Sequence, residues 1–466
     1  MLKRLFSLPF KNPLARSTPA INHQILPRDE HNISRRQISR AALKVMQRLG
    51  DGGYEAYLVG GGVRDLLLKD QPKDFDVATD ATPEQVKQLF RNARIIGRRF
   101  KIVHVRFGRE IIEVTTFRGH HHDASSSKHS ARSEDGMLLR DNVYGDIQSD
   151  AIRRDFTVNA LYYTLNKFSV HDFTNGMRDI QERKIRMIGK PETRYQEDPV
   201  RMLRAVRFAA KLNFDIERST ATPIGKMGPL LENIPAARLF EEVLKLFMGG
   251  YGVAVLKGLR EYDLLQYLLP ATDQALKQQL PYAEALFEQA AHNTDDRIQR
   301  DLRVTPAFIF AALLWPSVQS ETRKLLDEGM PPVQASAEAA QNVISQQLQR
   351  TSIPKRFTQG MKEIWDLQHR LTRRQGKRAE RIFEHPRFRA AYDFVLLREQ
   401  AGEDLEGLGD WWTRYQDVDA DERTRMSEKI SGPGGGANRR RRRRRKPSGG
   451  NRGGNGSSSH NNSSQS

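Results

Sequence analysis

Between Tyr57 and Val77 the chain carries an apolar run, Tyr57-Leu58-Val59, three consecutive glycines, Gly60-Gly61-Gly62, and then Lys73-Asp74-Phe75-Asp76-Val77. The apolar run suits a buried strand, and Val63 to Leu68 holds enough leucine to continue as a short helix. Glycines at that junction let a ligand approach the backbone. The first-turn N–H groups of a helix lack intrahelical partners, and the helix dipole favours an anion there. Gly61 and Arg64 are therefore candidate nucleotide-phosphate contacts, the arginine supplying a charge suited to phosphate. Asp74 and Asp76 are two apart, so on a strand both point to one face while Phe75 points to the core. Two carboxylates that close repel each other unless a cation sits between them. Hard Mg²⁺ takes carboxylate oxygens and keeps positions for water and substrate phosphate, which makes this face a candidate two-metal centre. Each half alone is a common pattern, since D-x-D is more often a solvated strand edge; the two in this order are specific.

A chain of 466 residues has room for two to four domains. Cysteine is absent, which removes disulfides, thiol nucleophiles and thiolate zinc sites, and fits a reducing cytosol. No apolar run approaches the length needed to span a bilayer. The net charge is +19, and residues 431–466 hold nine Lys or Arg and no acid. A basic chain with a concentrated basic tail points to a polyanion: RNA, DNA or an anionic membrane surface.

Residues 1–40 contain eight Lys or Arg against two acids, with four prolines, and are read as a basic, disordered leader. Residues 41–189 carry mixed patterns. Strands are expected at 55–59, 75–78, 101–107, 110–116, 159–165 and 169–172, with a Gly108-Arg109 hairpin turn and a helix from Pro83 capped by Thr82. His120, His121, His122, Asp123 and His129 lie in a polar stretch with no metal-ligand spacing, so a solvated loop is the better reading. Arg153-Arg154-Asp155-Phe156-Thr157-Val158-Asn159-Ala160 then leads into an apolar strand. Residues 190–250 switch to helical periodicity, with Asp198 as an expected N-cap ahead of Pro199, and Arg201, Arg204 and Arg207 at every third position. Residues 251–430 read as helical, with a basic cluster from Arg370 to Arg381 that serves equally well as a solvated face or an RNA contact. Residues 431–466 are Gly-, Ser- and Asn-rich around the run Arg439 to Lys446, a composition that cannot bury a core and suits salt-sensitive phosphate binding.

Three of these runs, GGGVRDLLL…KDFDVAT, RRDFTVNA and EDPVRMLRAVRF, together resemble the tRNA nucleotidyltransferase/poly(A) polymerase family of class II nucleotidyltransferases over residues 30–250. The resemblance implies an α+β fold, in which a small mixed-sheet nucleotidyltransferase head precedes a mostly helical neck and body. It implies that Asp74, Asp76 and Asp155 are catalytic and hold Mg²⁺, with Glu113 on a hairpin arm an alternative third carboxylate. It implies nucleotide binding by Gly61, Arg64, Arg154, Asp198, Arg201, Arg204 and Arg207. The segment Ile95-Ile96-Gly97-Arg98-Arg99-Phe100-Lys101 and the basic tail resemble the bacterial poly(A) polymerase subgroup. On that basis ATP is the expected substrate, RNA 3′ ends the acceptors, RNA-decay machinery a candidate partner, and the bacterial cytoplasm the location, with peripheral membrane contact through the basic tail left open. A CCA-adding tRNA nucleotidyltransferase would share all three runs. A non-catalytic RNA-binding protein would not need them.

A carboxylate accepts hydrogen bonds and an arginine donates them. Adenine and cytosine each present an exocyclic amine beside a ring-nitrogen acceptor, so Asp198 and Arg201, one helical turn apart, can pair with either base edge. Uracil reverses that order and guanine differs too. Protein groups can thus select A or C with no nucleic-acid template, but these two residues cannot separate A from C.

Overall fold

A computed structural model describes residues 23–97, 101–119, 130–132, 138–141 and 143–430. The histidine cluster, Arg98 and Arg99, the first 22 residues and the arginine-rich tail lie outside the described residues. The head is a mixed sheet. Its strands are β1 (Gln24–Leu26), β2 (Ala56–Val59), β3 (Asp76–Thr79), β4 (Ala93–Ile96), β5 (Ile102–Phe107), β6 (Glu110–Thr116), β9 (Leu161–Thr164) and β10 (Val170–Asp172); β7 (Ser130–Arg132) and β8 (Leu138–Asp141) form a separate two-stranded ribbon. The order across the sheet is β1-β10-β9-β2-β3-β6-β5-β4, and only β3 and β6 run parallel within it.

The expected strands appear with ends shifted by one or two residues, and β6 over its full expected span. Gly108, at φ +61, opens the two-residue turn that fixes the β5–β6 register. Helix α3 (Pro83–Leu89) has the expected Thr82 cap, completed to a capping box by Gln85. The leader is shorter than expected. Residues 23–40 belong to the head, because β1 pairs with β10, Ser34 closes a capping box, and Ile33 and Ile38 are buried. Apolar residues spaced through a charged segment were enough to anchor it. Helix α1 (Arg40–Asp51) follows, capped by Ser39.

Helices α2 (Gly61–Leu67), α4 (Ile147–Arg153) and α5 (Gly176–Gln181) complete the head. Helices α6 (Pro191–Glu197), α7 (Val200–Leu212), α8 (Arg218–Ala221), α9 (Ile224–Met227) and α10 (Ala236–Phe247) come next, and helices from Gly252–Glu261 to Ala420–Lys429 form the rest. The mixed-sheet head and helical remainder match the α+β expectation. One apolar core runs continuously from Leu26 in the head to Ala401, joining sheet, α7 and the later helices. A second core, around Trp412, Tyr415, Phe388 and Leu371, gathers the last helices, a division that uniform helical periodicity did not reveal.

Candidate functional site

The glycine turn places α2 directly after β2. Gly60 holds φ +71, a conformation that side chains other than glycine's rarely adopt. A Cβ on Gly62 would stand 3.4 Å from the Asp74 carbonyl oxygen, so the turn packs closely against the aspartate segment. Asp74 is exposed just ahead of β3, Phe75 is buried, and Asp76 begins the strand. The parallel β3–β6 register sets Asp76 beside Glu113, and the β5–β6 register sets His104 opposite Glu113, with Nε2 3.2 Å from Oε1. Burial, together with the charges of Glu113 and Asp74, pushes the Asp76 carboxyl up to about 6, and Arg154 opposes this. Asp74, Asp76 and Glu113 thus concentrate negative charge on one face. Among the described residues no three Asp, Glu or His side chains converge tightly enough to hold an ion by themselves. An all-oxygen face of this kind fits a hard divalent cation whose remaining positions are filled by water and substrate phosphate.

Asp155 pairs with the neck. Its Oδ2 accepts from Arg204 Nε at 2.7 Å, and its Oδ1 accepts the Phe156 N–H at 2.8 Å. Burial alone would raise this carboxyl, but the charge and hydrogen bond of Arg204 hold it down at about 2. The expected third carboxylate thus has two candidates: Asp155, whose carboxylate pairs with Arg204, and Glu113, which the β3–β6 register sets beside Asp76.

Arg64 is enclosed. It is 2% exposed, with Nε 2.8 Å from Asp65 Oδ1 and Nη1 2.5 Å from Asn159 Oδ1. A guanidinium so enclosed ties α2 to the segment after Asp155. Gly61 serves the same packing, since a Cβ there would stand 3.4 Å from Arg64 Nη2. Arg154 also lies against the glycine turn: its Nη1 is 3.5 Å from where a Gly60 Cβ would be. Its Nε donates to Tyr162 Oη at 2.8 Å and its Nη2 to Asp150 Oδ2 at 3.0 Å. Burial disfavours its charge, but Tyr162 and Asp150 more than compensate and keep it cationic.

On the neck, Asp198 does not cap α7 with its side chain. Its Oδ2 accepts from Arg238 Nη2 at 2.8 Å, while its Oδ1 is buried with no hydrogen-bond partner among the described residues. Arg201 Nη1 donates to the Arg194 carbonyl at 2.8 Å and to Glu197 Oε2 at 3.0 Å. Arg204 is engaged by Asp155, and Arg207 lies over the Phe208 ring at 4.8 Å with its Nε buried and without a partner among the described residues. Burial and neighbouring Arg204 lower the Arg207 pKa. Sequence reasoning missed Arg194, whose Nη2 bonds the carbonyls of both Arg153 and Arg154, and Arg238. Neither stands in a run that signals its role, and each acts across 40 or 41 residues of chain.

A carboxylate-bearing mixed sheet beside a glycine turn, joined to an arginine-rich helical neck, defines a nucleotidyltransferase. A crystal structure of the Bacillus stearothermophilus CCA-adding enzyme with CTP has the same fold at TM-score 0.52 and 25% identity, covering 80% of each chain. Family models match at residues 56–186 (poly A polymerase head domain), 213–276 (probable RNA and SrmB-binding site of polymerase A) and 328–446 (polymerase A arginine-rich C-terminus). Poly(A) polymerase I of Salmonella typhimurium is 51% identical over 87% of this chain and 88% of that protein. The CCA-adding enzyme of Lactobacillus helveticus is 41% identical over 45% of this chain and 50% of that protein. The chain belongs to the poly(A) polymerase family.

Proposed function

We propose that the protein extends RNA 3′ ends with AMP from ATP, releasing pyrophosphate, without a nucleic-acid template, as a polynucleotide adenylyltransferase in RNA processing and decay. The carrying observation is the extent of similarity: the poly(A) polymerase match runs through head, neck and most of the body, whereas the CCA-adding match covers less than half of the chain. Asp74, Asp76 and Glu113 would hold Mg²⁺, which supplies charge neutralisation at the reacting phosphate and activation of the hydroxyl. Arg154, held cationic beside the Gly60 turn, binds triphosphate oxygens. Asp198 and Arg201 meet the base edge, and the buried free Oδ1 of Asp198 suits an exocyclic amine. The RNA 3′-oxygen attacks the α-phosphorus, the bond to the β-phosphate oxygen breaks, and positioning and charge complementarity lower the barrier with no covalent enzyme intermediate. RNA is the macromolecular partner of the basic body and tail, through salt-sensitive phosphate contacts.

The test offers purified protein two pairs of substrates: single-stranded RNA with ATP, and tRNA lacking its terminal CCA with CTP. Repeated AMP addition to generic RNA supports the reading. CTP incorporation without repeated adenylation would replace it with the CCA-adding reading.

A further inference from the structure

Asp198 can read a base amine only if one of its oxygens is held still and aimed. Nothing in its own motif holds it. Its Oδ2 is fixed from outside by Arg238 on α10, and this leaves Oδ1 as the carboxylate oxygen that is buried and has no hydrogen-bond partner among the described residues. Helix α10 is in turn fixed by the body: the Ala236 carbonyl at its first turn accepts the Ser352 N–H at 3.0 Å, and its inner residues Leu239, Phe240, Val243 and Leu246 are buried in the main core. The same face of α10 carries Glu242, one turn beyond Arg238 and 5% exposed, whose charge acts on Arg204 and Arg207 of α7. Two helices therefore meet along a charged seam, with Arg238 opposite Asp198 and Glu242 near the two arginines. On the other side of the pair, Arg201 is anchored through Nη1, and among the described residues no hydrogen bond uses its Nη2.

We propose that Arg238 is a positioning residue for base selection: by engaging Asp198 Oδ2 it presents Oδ1 as a fixed acceptor, so the site demands an amine donor at that place and rejects nucleotides without one. A mobile carboxylate could rotate to accept from other donors, or be bypassed. A fixed one leaves a buried acceptor unmatched whenever the incoming base lacks a donor, and an unmatched buried polar group is the strongest source of rejection. The inference rests on the base-reading role assigned above to Asp198 and Arg201.

The experiment measures kcat/KM for ATP, UTP and N6,N6-dimethyl-ATP, which lacks the amine donor, in the full-length protein and in Arg238→Ala and Arg238→Lys. Inhibition by inorganic tripolyphosphate reads the triphosphate site separately, and thermal melting checks folding. In Arg238→Ala the preference for ATP over both analogues is expected to fall at least tenfold, with tripolyphosphate inhibition unchanged within twofold, and Arg238→Lys is expected to recover part of the preference. A folded Arg238→Ala that keeps the wild-type preferences while losing rate on all three nucleotides overturns the inference. If wild-type protein itself shows no preference for the amine-bearing base, the base-reading role fails first, and that outcome is distinguishable because it appears before any substitution.

Discussion

The head and the neck handle carboxylates in opposite ways. On the sheet, Asp74, Asp76 and Glu113 are brought together, and among the described residues neither aspartate forms an ion pair with an arginine or lysine. On the neck side, three carboxylates meet guanidinium groups: Asp155 with Arg204, Asp198 with Arg238, Glu197 with Arg194 and Arg201. Paired charges give fixed geometry, because each group's orientation is set by its partner. Gathered like charges favour either protonation or a cation, since each relieves their repulsion. On the proposed reading, the difference separates a surface for metal and phosphate from one shaped to meet a base.

The largest expected effect breaks the head. Asp76→Ala or Asp74→Ala should lower AMP addition by about a thousandfold or more, on the scale of removing a charge-stabilising group at a reacting centre. RNA binding, followed by fluorescence anisotropy, should change less than twofold; near-normal turnover would remove the metal assignment.

The neck responds differently. Asp155→Asn leaves Arg204 facing a neutral amide. Its side chain is 31% exposed, so the cost in urea unfolding should be about 2 kcal/mol, below the range for fully buried pairs. No loss of stability would show that the pair is incidental. Arg201→Ala should reduce the ATP-over-UTP preference about tenfold, as expected for one hydrogen bond to a charged group, with a smaller effect on triphosphate binding. A uniform loss for all four nucleotides would make Arg201 a phosphate ligand instead.

Acid and base titrations sharpen the contrast, because the two carboxylates shift in opposite directions. Asp155 is held at about 2, below the ordinary value near 4 of an unfolded chain, so its stabilisation is complete above about pH 4 and is lost as pH falls through 2. Asp76 is raised to about 6, so its contribution is complete below about pH 4 and is lost as pH rises through 6. Mg²⁺ binds the ionised form and should restore what is lost. Added Mg²⁺ should therefore raise Tm more at pH 7.5 than at pH 5, and Asp76→Asn should remove most of that difference. An equal rise at both pH values would place metal binding elsewhere.

Much of the head could be read in advance because its signals are local. The Gly60 turn, the Thr82 cap and Gly108 each act within a few residues, and local sequence pattern marked every strand from β2 to β6 except β4. What the sequence could not show is long-range pairing. A sequence shows that Arg64 and Asp155 are charged but not that Arg64 is enclosed by Asp65 and Asn159, or that Asp155 meets an arginine 49 residues later. Glu113 could be named as an alternative, yet its place beside Asp76 depends on a parallel register between strands 37 residues apart, and nothing in either strand encodes that register alone. Asp198 looked like a helix cap because an acid before proline usually is one; a tertiary partner, Arg238, claimed it instead.

The most direct test of the contrast is the Mg²⁺ dependence of AMP incorporation in Glu113→Gln against Asp155→Asn, each titrated at saturating ATP and RNA. Glu113→Gln is expected to raise the Mg²⁺ concentration for half-maximal rate at least tenfold, while Asp155→Asn changes it less than twofold, whatever its effect on stability. The reverse pattern, with Asp155→Asn shifting the metal requirement and Glu113→Gln leaving it in place, would contradict the assignment of Glu113 to the catalytic face and of Asp155 to the neck.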